Sequence, residues 1–179
     1  MTVPGELFYI EKNKSIVVYD AKKLTYKEIY NHLFDFKDSK VIQVGRALFC
    51  FKNIQTLLFT GLTSNLNVEE KAEHPCDPKS AALALYTDDY IFLVSAAAPA
   101  RVQDPNAHNF GYVSQVDYYS ISEDSWGIAP NLNNERTGHS ACSVGKSIYV
   151  FGGAGDYEHK HTMERLDADK TVNGVPSEW

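Results

Sequence analysis

Two histidines carry the strongest hint of metal chemistry in this sequence. His159 and His161 lie two residues apart in the segment DYEHKHTM, so in a strand both side chains would point to one face, with Asp156 nearby. Two imidazoles and one carboxylate are ligands that suit zinc. Polar residues beside a glycine-rich run are also typical of a loop between strands. We predict a solvated loop, with no metal and no other cofactor.

Cys142 and His139 form the candidate pair for nucleophilic catalysis. They lie three residues apart, and the alternation of side chains along a strand would place them on opposite faces. The run from Gly152 to Gly155 is not followed by a helical pattern that would offer its N-terminus to a phosphate. The sequence contains no G-x-S-x-G, P-loop or H-E-x-x-H motif. We therefore predict no catalytic residues and a protein that is not an enzyme.

The three cysteines do not indicate a disulfide framework, because their number is odd and they lie far apart. Cys50 and Cys142 stand in strand-like segments, and we expect both to be buried. Cys76 lies between two prolines and is expected in a turn. Three reduced thiols, and an N-terminus without a basic start and a long apolar run, predict a cytoplasmic protein.

Composition excludes several classes of protein. Of the 179 residues 44% are hydrophobic, which is too many for a disordered chain. Lys and Arg number 17 and Asp and Glu 23, a net charge of −6, which disfavours a general nucleic-acid binder. The apolar runs are too short to span a membrane. We expect neither nucleic acid nor membrane as a partner.

The chain contains an internal repeat. The segment VGRALFCF (44–51) aligns without a gap with VGKSIYVF (144–151), and each reads as a turn followed by a buried strand. Looser copies are PGELFYIE (4–11) and TDDYIFLV (87–94). The aligned strands are followed by a second strand and a short outer segment, and three of them are preceded by another strand. The unit is thus four short antiparallel strands, of which the inner ones alternate weakly and are expected to be buried on both faces.

One segment favours two structures. In TYKEIYNHLFDF the residues Ile29, Leu33 and Phe36 have helical spacing, whereas the repeat register makes Leu24–Ile29 the outer strand of a unit. We predict the strand.

The segment NERTGHSACSVGKSIYVFGG (134–153) resembles the kelch motif. Upstream, VDYYSISEDSW resembles the second half of a kelch unit, with a tyrosine in the third strand and a tryptophan opening the fourth. The residues that carry the resemblance, with Trp179 in the role of the tryptophan in the last unit, are Tyr119, Trp126, Arg136, His139, Ser140, Gly145, Tyr149, Gly152, Gly153 and Trp179.

The resemblance implies an all-β fold of kelch-type β-propeller blades, each a four-stranded antiparallel sheet. Residues 1–179 would form a partial propeller of about three to four blades in an incomplete ring. The approximate blades are 1–33 (partial), 34–74, 75–133 and 134–179 (partial). We expect packing roles for the motif residues: the glycines permit positive φ, the aromatics fill the wedge between blades, and Arg136 reaches carbonyls or a carboxylate.

In propellers that resemble this chain, the loops on one face bind protein partners. The longest such loop here is Ala96–Ser114, and the matching loop of the next blade follows Gly155. Phe110 and Tyr112 would equally serve to pin the loop to its blade. The candidate partner-binding residues are Arg101, His108, Asn109, Phe110, Tyr112, Asp156, Tyr157, His159 and His161.

We therefore predict a scaffold that binds a protein partner, with substrate-recognition and cytoskeletal adaptors among the options. The alternative is a fragment of a propeller enzyme, of the carbohydrate-active or copper-oxidase type. An open arc of blades leaves one blade face uncovered at each end, which exposes apolar surface. We expect that further blades or self-association would be needed to close the ring.

Overall fold

The structure of the protein, a computed structural model, describes residues 6–10, 15–20, 24–30, 36, 39–62, 65–74, 78, 81–94, 114–154, 161–172 and 175–179. In these ranges the chain is all-β, with fifteen strands and no α-helix. Consequently, this part of the chain holds no helix long and apolar enough to cross a membrane.

The strands form four antiparallel sheets that follow one another along the chain, each with its strands in sequence order. Sheet I contains β1 (Glu6–Ile10), β2 (Ser15–Asp20) and β3 (Thr25–Tyr30). Sheet II contains β4 (Lys40–Val44), β5 (Ala47–Lys52), β6 (Gln55–Thr60) and β7 (Asn67–Lys71). Sheet III contains β8 (Ala82–Tyr86), β9 (Tyr90–Val94), β10 (Val116–Ser120) and β11 (Ser125–Ala129). Sheet IV contains β12 (Ser140–Val144), β13 (Ser147–Phe151), β14 (Met163–Val172) and β15 (Val175–Glu178).

Three apolar clusters lie between successive sheets and hold them in an unclosed arc. The cluster between sheets I and II contains Val18, Leu48, Cys50, Leu57 and Phe59. The cluster between sheets II and III contains Phe49, Phe51, Ile91, Leu93 and Tyr119. The cluster between sheets III and IV contains Phe92, Val94, Ile148, Val150 and Leu166. Alternate residues of one strand serve different clusters, because their side chains point to opposite faces. The predicted all-β class, with four-stranded antiparallel blades in an incomplete ring, is confirmed.

Tight hairpins set the register inside the sheets. The two-residue turns that join β4 to β5 and β12 to β13 begin with Gly45 (φ 58°) and Gly145 (φ 59°). A glycine accepts this left-handed conformation without steric cost, and such turns match the twist of the strands that they join. The register on either side is unbroken: Val44 pairs with Ala47 and Val144 pairs with Ser147.

The first half of the segment with helical spacing is the strand β3, and residues 31–35, with Leu33, lie outside the described residues. The ladder of β3 with β2 is continuous and pairs Tyr19 with Tyr26 and Ser15 with Tyr30. The backbone hydrogen bonds of a paired strand outweigh the weak helical preference of so short a segment, which has Thr25 and two tyrosines.

One expectation about burial is wrong. Cys142 is exposed, and so is most of its strand β12, although both were expected to be buried. Cys142 lies on a face of sheet IV that no other described sheet covers. Cys50, by contrast, is fully buried between sheets I and II, and burial raises the pKa of its thiol. Cys76 lies outside the described residues.

Tryptophan side chains join the outer strands of neighbouring sheets. Trp126 of sheet III donates its indole N–H to the carbonyl of Ala72, at 2.9 Å, directly after β7. Trp179 donates in the same way to the carbonyl of Pro130, at 2.6 Å, directly after β11. We call each of these contacts a tryptophan clamp. The same contact therefore fixes sheet III on sheet II and sheet IV on sheet III.

Asp124 completes the clamp at Ala72. Its Oδ1 accepts the Ala72 N–H at 2.9 Å and the Tyr119 hydroxyl at 2.5 Å. These two hydrogen bonds, the first foremost, lower the pKa of Asp124, because they stabilise the carboxylate. Ala72 is thus held through both its carbonyl and its N–H.

Among the described residues, no tryptophan makes such a clamp between sheets I and II. In the outer ladder of sheet II, Val68 pairs with Phe59, as Trp126 pairs with Tyr119 in sheet III. Valine occupies the position of the clamp but has no side-chain donor. Val18 packs against sheet II in an apolar cluster.

The substitution Trp126→Phe should lower the free energy of unfolding by about 1 kcal/mol, because the Ala72 carbonyl loses its donor while most of the ring packing remains. Urea denaturation would measure the change. Ile128→Val, two residues along the same strand and 77% exposed, is the control and should have no effect. Equal stability of Trp126→Phe and the wild type would show that the clamp contributes nothing.

Candidate partner-binding edge

Two long connections leave the same edge of neighbouring sheets. Residues 95–115 join the second strand of sheet III to its third, and residues 152–162 do the same in sheet IV. Because antiparallel strands alternate in direction, these connections and the passages between sheets share one edge, which we call the loop edge. The first-to-second turns, including Gly45–Arg46 and Gly145–Lys146, lie at the opposite edge, which we call the hairpin edge.

Most of the predicted partner-binding residues lie outside the described residues. Residues 95–113 hold Arg101, His108, Asn109, Phe110 and Tyr112, and residues 155–160 hold Asp156, Tyr157 and His159. His161 is described and is exposed. The structure therefore describes the bases from which both segments leave and to which they return.

Arg136 ties together the two ends of the connection in sheet IV. It is fully buried. Its Nη1 donates to the carbonyl of Gly152 at 2.7 Å, and its Nη2 donates to the Thr162 hydroxyl at 2.8 Å. Its Nε donates to Oε1 of Glu164 at 2.9 Å. The forked guanidinium suits this task, since its donors point in several fixed directions.

Glu164 extends the network to the passage between sheets III and IV. It accepts the backbone N–H of Asn133 at 2.6 Å and the side-chain amide of Asn134 at 3.2 Å. The buried carboxylate therefore has several donors besides Arg136, as a buried charge requires. One ion pair fixes the passage and both ends of the connection.

Two glycines let the chain approach itself closely at this point. Gly152 and Gly153 have φ of 63° and 90°. A Cβ on Gly153 would lie 2.8 Å from the Thr137 carbonyl oxygen and 3.0 Å from Cβ of His139. Thr137 and Ala154 exchange backbone hydrogen bonds of 2.9 and 2.8 Å just beside this contact. A side chain at Gly153 would separate these strands.

His139 links the two connections to each other. It is buried, and its Nε2 lies 3.2 Å from the carbonyl of Val94, the last residue of β9. Nδ1 of the same ring has no hydrogen-bond partner within the described part of the chain. Burial chiefly lowers the pKa of His139, the positive charges of Arg136 and Lys40 lower it further, and the Val94 hydrogen bond opposes them. The ring is therefore neutral at neutral pH.

The other motif residues lie in sheets III and IV. Tyr119 is fully buried between sheets II and III, and its ring packs on Phe49 with centroids 5.8 Å apart. Ser140 begins β12 and is exposed. Tyr149 is half-buried, and its ring stacks on that of Phe151 in the same strand, with centroids 6.3 Å apart.

A second buried acid–base contact lies between sheets II and III. His74 Nε2 is 3.5 Å from Oδ2 of Asp117, and both side chains are buried. The His74 ring packs on Trp126 with centroids 4.1 Å apart. Asp117 also accepts the side-chain amide of Gln115 at 2.8 Å. These contacts attach the end of sheet II to the third strand of sheet III.

The polar groups named here bind other parts of the protein. The guanidinium of Arg136 is occupied by four hydrogen bonds, and the His139 ring bonds a main-chain carbonyl. Within the described ranges no three His, Cys, Asp or Glu side chains lie close enough to hold a metal ion. The chemistry that the described residues carry out here is positioning: they hold the bases of 95–113 and 155–160 in place.

Sequence reasoning picked out Arg136 and His139 but missed Glu164 and the His74–Asp117 contact. The sequence does contain a signal for Glu164. It lies two residues before Leu166 in β14, so both side chains face the interior, where a charged residue is tolerated only when it is paired. No sequence pattern connects His74 with Asp117, since their meeting depends on how two sheets pack.

No protein-family model matches this chain, and no curated protein matches it either. Solved structures do match. The structure of YjhT aligns with a TM-score of 0.62 and 12% sequence identity, over 85% of this chain and 48% of that one. At so low an identity the likeness shows the fold alone. The chain thus spans about half the length of a solved structure that it resembles.

Glu164→Gln should lower the free energy of unfolding by about 3 kcal/mol, because it leaves the buried Arg136 charge without its carboxylate. Chemical denaturation would measure the loss. Asp167→Asn, in the same strand, is the matched control: its pair with Arg165, at 3.3 Å, is at the surface, so the loss should stay below about 1 kcal/mol. Similar losses in the two variants would refute a special role of the buried pair.

Stability should fall as the pH drops below about 6.5, the ordinary pKa of histidine, because the unfolded chain then binds a proton at position 139 that the folded chain does not. The loss continues down to the lowered pKa of folded His139. His139→Gln should reduce this dependence, since glutamine does not titrate. Urea midpoints at neutral and mildly acidic pH would measure it.

His161→Gln is the control for this experiment, because His161 is exposed. It should leave the pH dependence as in the wild type. If His139→Gln also leaves it unchanged, the buried ring is not the group that titrates.

Proposed function

We propose that this protein is a kelch-type propeller scaffold that binds a protein partner through its loop edge. It is not an enzyme in this proposal, it acts in the cytoplasm, and it needs no cofactor. Substrate-recognition or cytoskeletal adaptors are the roles that the resemblance implies. The blades of the proposal are residues 1–33, 34–74, 75–133 and 134–179.

One observation carries the proposal: His139 joins the bases of the two long connections. Its ring bonds Val94, where 95–113 begins, and its Cβ lies against Gly153, just before 155–160. Backbone contacts add to this, since the Leu132 N–H bonds the Ser114 carbonyl at 2.8 Å and the Gly152 N–H bonds the Thr162 carbonyl at 3.0 Å. The described bases of the two segments lie side by side, which supports a shared binding site at the loop edge.

The residue types of the two segments suit a protein partner. Arg101, Phe110, Tyr112 and Tyr157 belong to the types that contribute most to protein interfaces. Aromatic side chains bury a large area with few rotatable bonds, and arginine adds directional donors. A rigid base lowers the entropic cost of ordering such segments on a partner.

The kelch part of the proposal rests on residues with defined places in the sheets. Trp126 in β11 and Trp179 directly after β15 make the same kind of clamp to the preceding sheet. Gly152 and Gly153 adopt positive φ at the end of a second strand. These are the packing tasks that the motif predicts for an aromatic and for a glycine pair.

Replacing Arg101, Phe110 and Tyr157 together by Ala should remove most of the partner from an affinity pull-down, since truncation of such residues commonly weakens an interface about tenfold or more each. The partners of the wild type and the variant would be compared by quantitative mass spectrometry. Thermal melting would verify that the variant remains folded.

The control variant is Arg46→Ala with Lys146→Ala, two exposed residues on the hairpin edge. It should recover the same partner as the wild type. Unchanged recovery with the loop-edge variant, or equal loss with the hairpin-edge variant, would refute binding through the loop edge.

A further inference from the structure

One face of sheet IV carries several exposed apolar side chains, with the charged Arg165 beside Tyr149 among them. Cys142 pairs with Tyr149, and Phe151 pairs with Met163, so these side chains point to one side of the sheet, together with Val144. Val144 is 62% exposed, Met163 54% and Phe151 43%. We call this set of five residues the front face.

The front face has a covered counterpart in sheet II. The gapless repeat places Ile42, Val44, Phe49 and Phe51 exactly one hundred positions before Cys142, Val144, Tyr149 and Phe151, in the same ladder register. Phe49 is 2% exposed and Phe51 0%, because sheet III packs on them. The front face is therefore built like a surface that receives another sheet.

Sheet I also has a face that no other described sheet covers, on the side away from sheet II. Val17, Tyr19 and Tyr26 lie on one side of this sheet, because Tyr19 pairs with Tyr26. Tyr26 is 77% exposed, and Val17 and Tyr19 are only half-buried. We call these three residues the back face.

The back face also has a covered counterpart, now in sheet III. Asp117, Tyr119 and Trp126 occupy the positions one hundred residues later, in the same ladder register. Asp117 and Tyr119 are buried against sheet II, and Trp126 makes its clamp there. The back face is thus built like the surface that packs onto a preceding sheet.

The two uncovered faces are the counterparts of two faces that already pack on each other. Between sheets II and III the Phe49 and Tyr119 rings have centroids 5.8 Å apart, and Phe51 and Trp126 meet edge to face at 5.7 Å. By the same register, Tyr149 matches Tyr19 and Phe151 matches Tyr26. A single chain therefore carries both halves of one interface, at opposite ends of its arc.

We propose that two copies of this chain associate head to tail, the front face of one packing on the back face of the other. Tyr149 of one copy then lies on Tyr19 of its neighbour, and Phe151 lies on Tyr26. Such an interface is heterologous, since different surfaces of the two copies meet. This interface uses sheet faces and leaves the loop edge free. The two proposals can therefore be tested independently of each other.

The test is a mixing experiment on the full chain. A front variant carries Val144→Glu and Phe151→Glu, and a back variant carries Val17→Glu and Tyr26→Glu. Sedimentation equilibrium should show that the wild type self-associates and that each variant alone does so at least about tenfold more weakly, because carboxylates are buried in an apolar contact. An equimolar mixture should form a one-to-one complex, because each variant retains the face that the other has lost.

Ile128→Glu is the matched control, with an equally exposed apolar residue on sheet III that belongs to neither face. It should associate like the wild type. A monomeric wild type would overturn the proposal. So would a mixture of the two variants that stays monomeric, since an interface between identical faces cannot be rescued in this way.

A second measurement serves if the charged variants do not fold. In a background with Cys76→Ser and Cys142→Ser, which leaves only the buried Cys50, Phe151→Cys and Tyr26→Cys would be made in separate chains, both at exposed positions. A short bifunctional thiol reagent should cross-link the mixture to a heterodimer and leave each chain alone without that product. Equal cross-linking of each chain with itself would refute the head-to-tail arrangement.

Discussion

A sheet of four short strands has two faces to cover, and in this chain the neighbouring sheets cover them. Strand β5 shows the consequence most directly: Leu48 and Cys50 pack toward sheet I, whereas Phe49 and Phe51 pack toward sheet III. An isolated sheet would expose both sets, so each sheet depends on its neighbours for stability. The three apolar clusters and the two uncovered end faces follow from this stacking.

Apolar burial by itself does not fix how two sheets are oriented, because the hydrophobic effect is not directional. The direction comes from a small number of hydrogen bonds at the outer and loop edges. Trp126 and Trp179 each bind one carbonyl of the preceding sheet, and Arg136 with Glu164 anchors the passage between sheets III and IV. Backbone pairing acts within a sheet, so these side-chain hydrogen bonds fix the orientation of one sheet relative to the next.

The strand pattern could be read from the sequence, because a repeat that aligns without gaps reports the same local structure twice. The register of β5 and β13, the strand β3 and the all-β class all follow from it. Burial was predicted less well: Cys142 has the neighbours of a core residue, but its exposure depends on whether another sheet lies beside it. The partners of Arg136 and His139 also escaped prediction, since Glu164 and Val94 meet them only once whole sheets have packed.

The valine at the clamp position of sheet II has a consequence for how the chain comes apart. Sheets II, III and IV are connected by directional hydrogen bonds as well as by apolar contact. Val68, at the clamp position of sheet II, has no side-chain donor that could form such a hydrogen bond with sheet I. In a linear array of units, the boundary with the weakest coupling opens first. We therefore expect sheet I to open as a unit of its own, so that its amide hydrogens exchange with solvent while the other three sheets stay closed. For the same reason, we expect thermal unfolding to begin at sheet I and to proceed towards the clamped sheets.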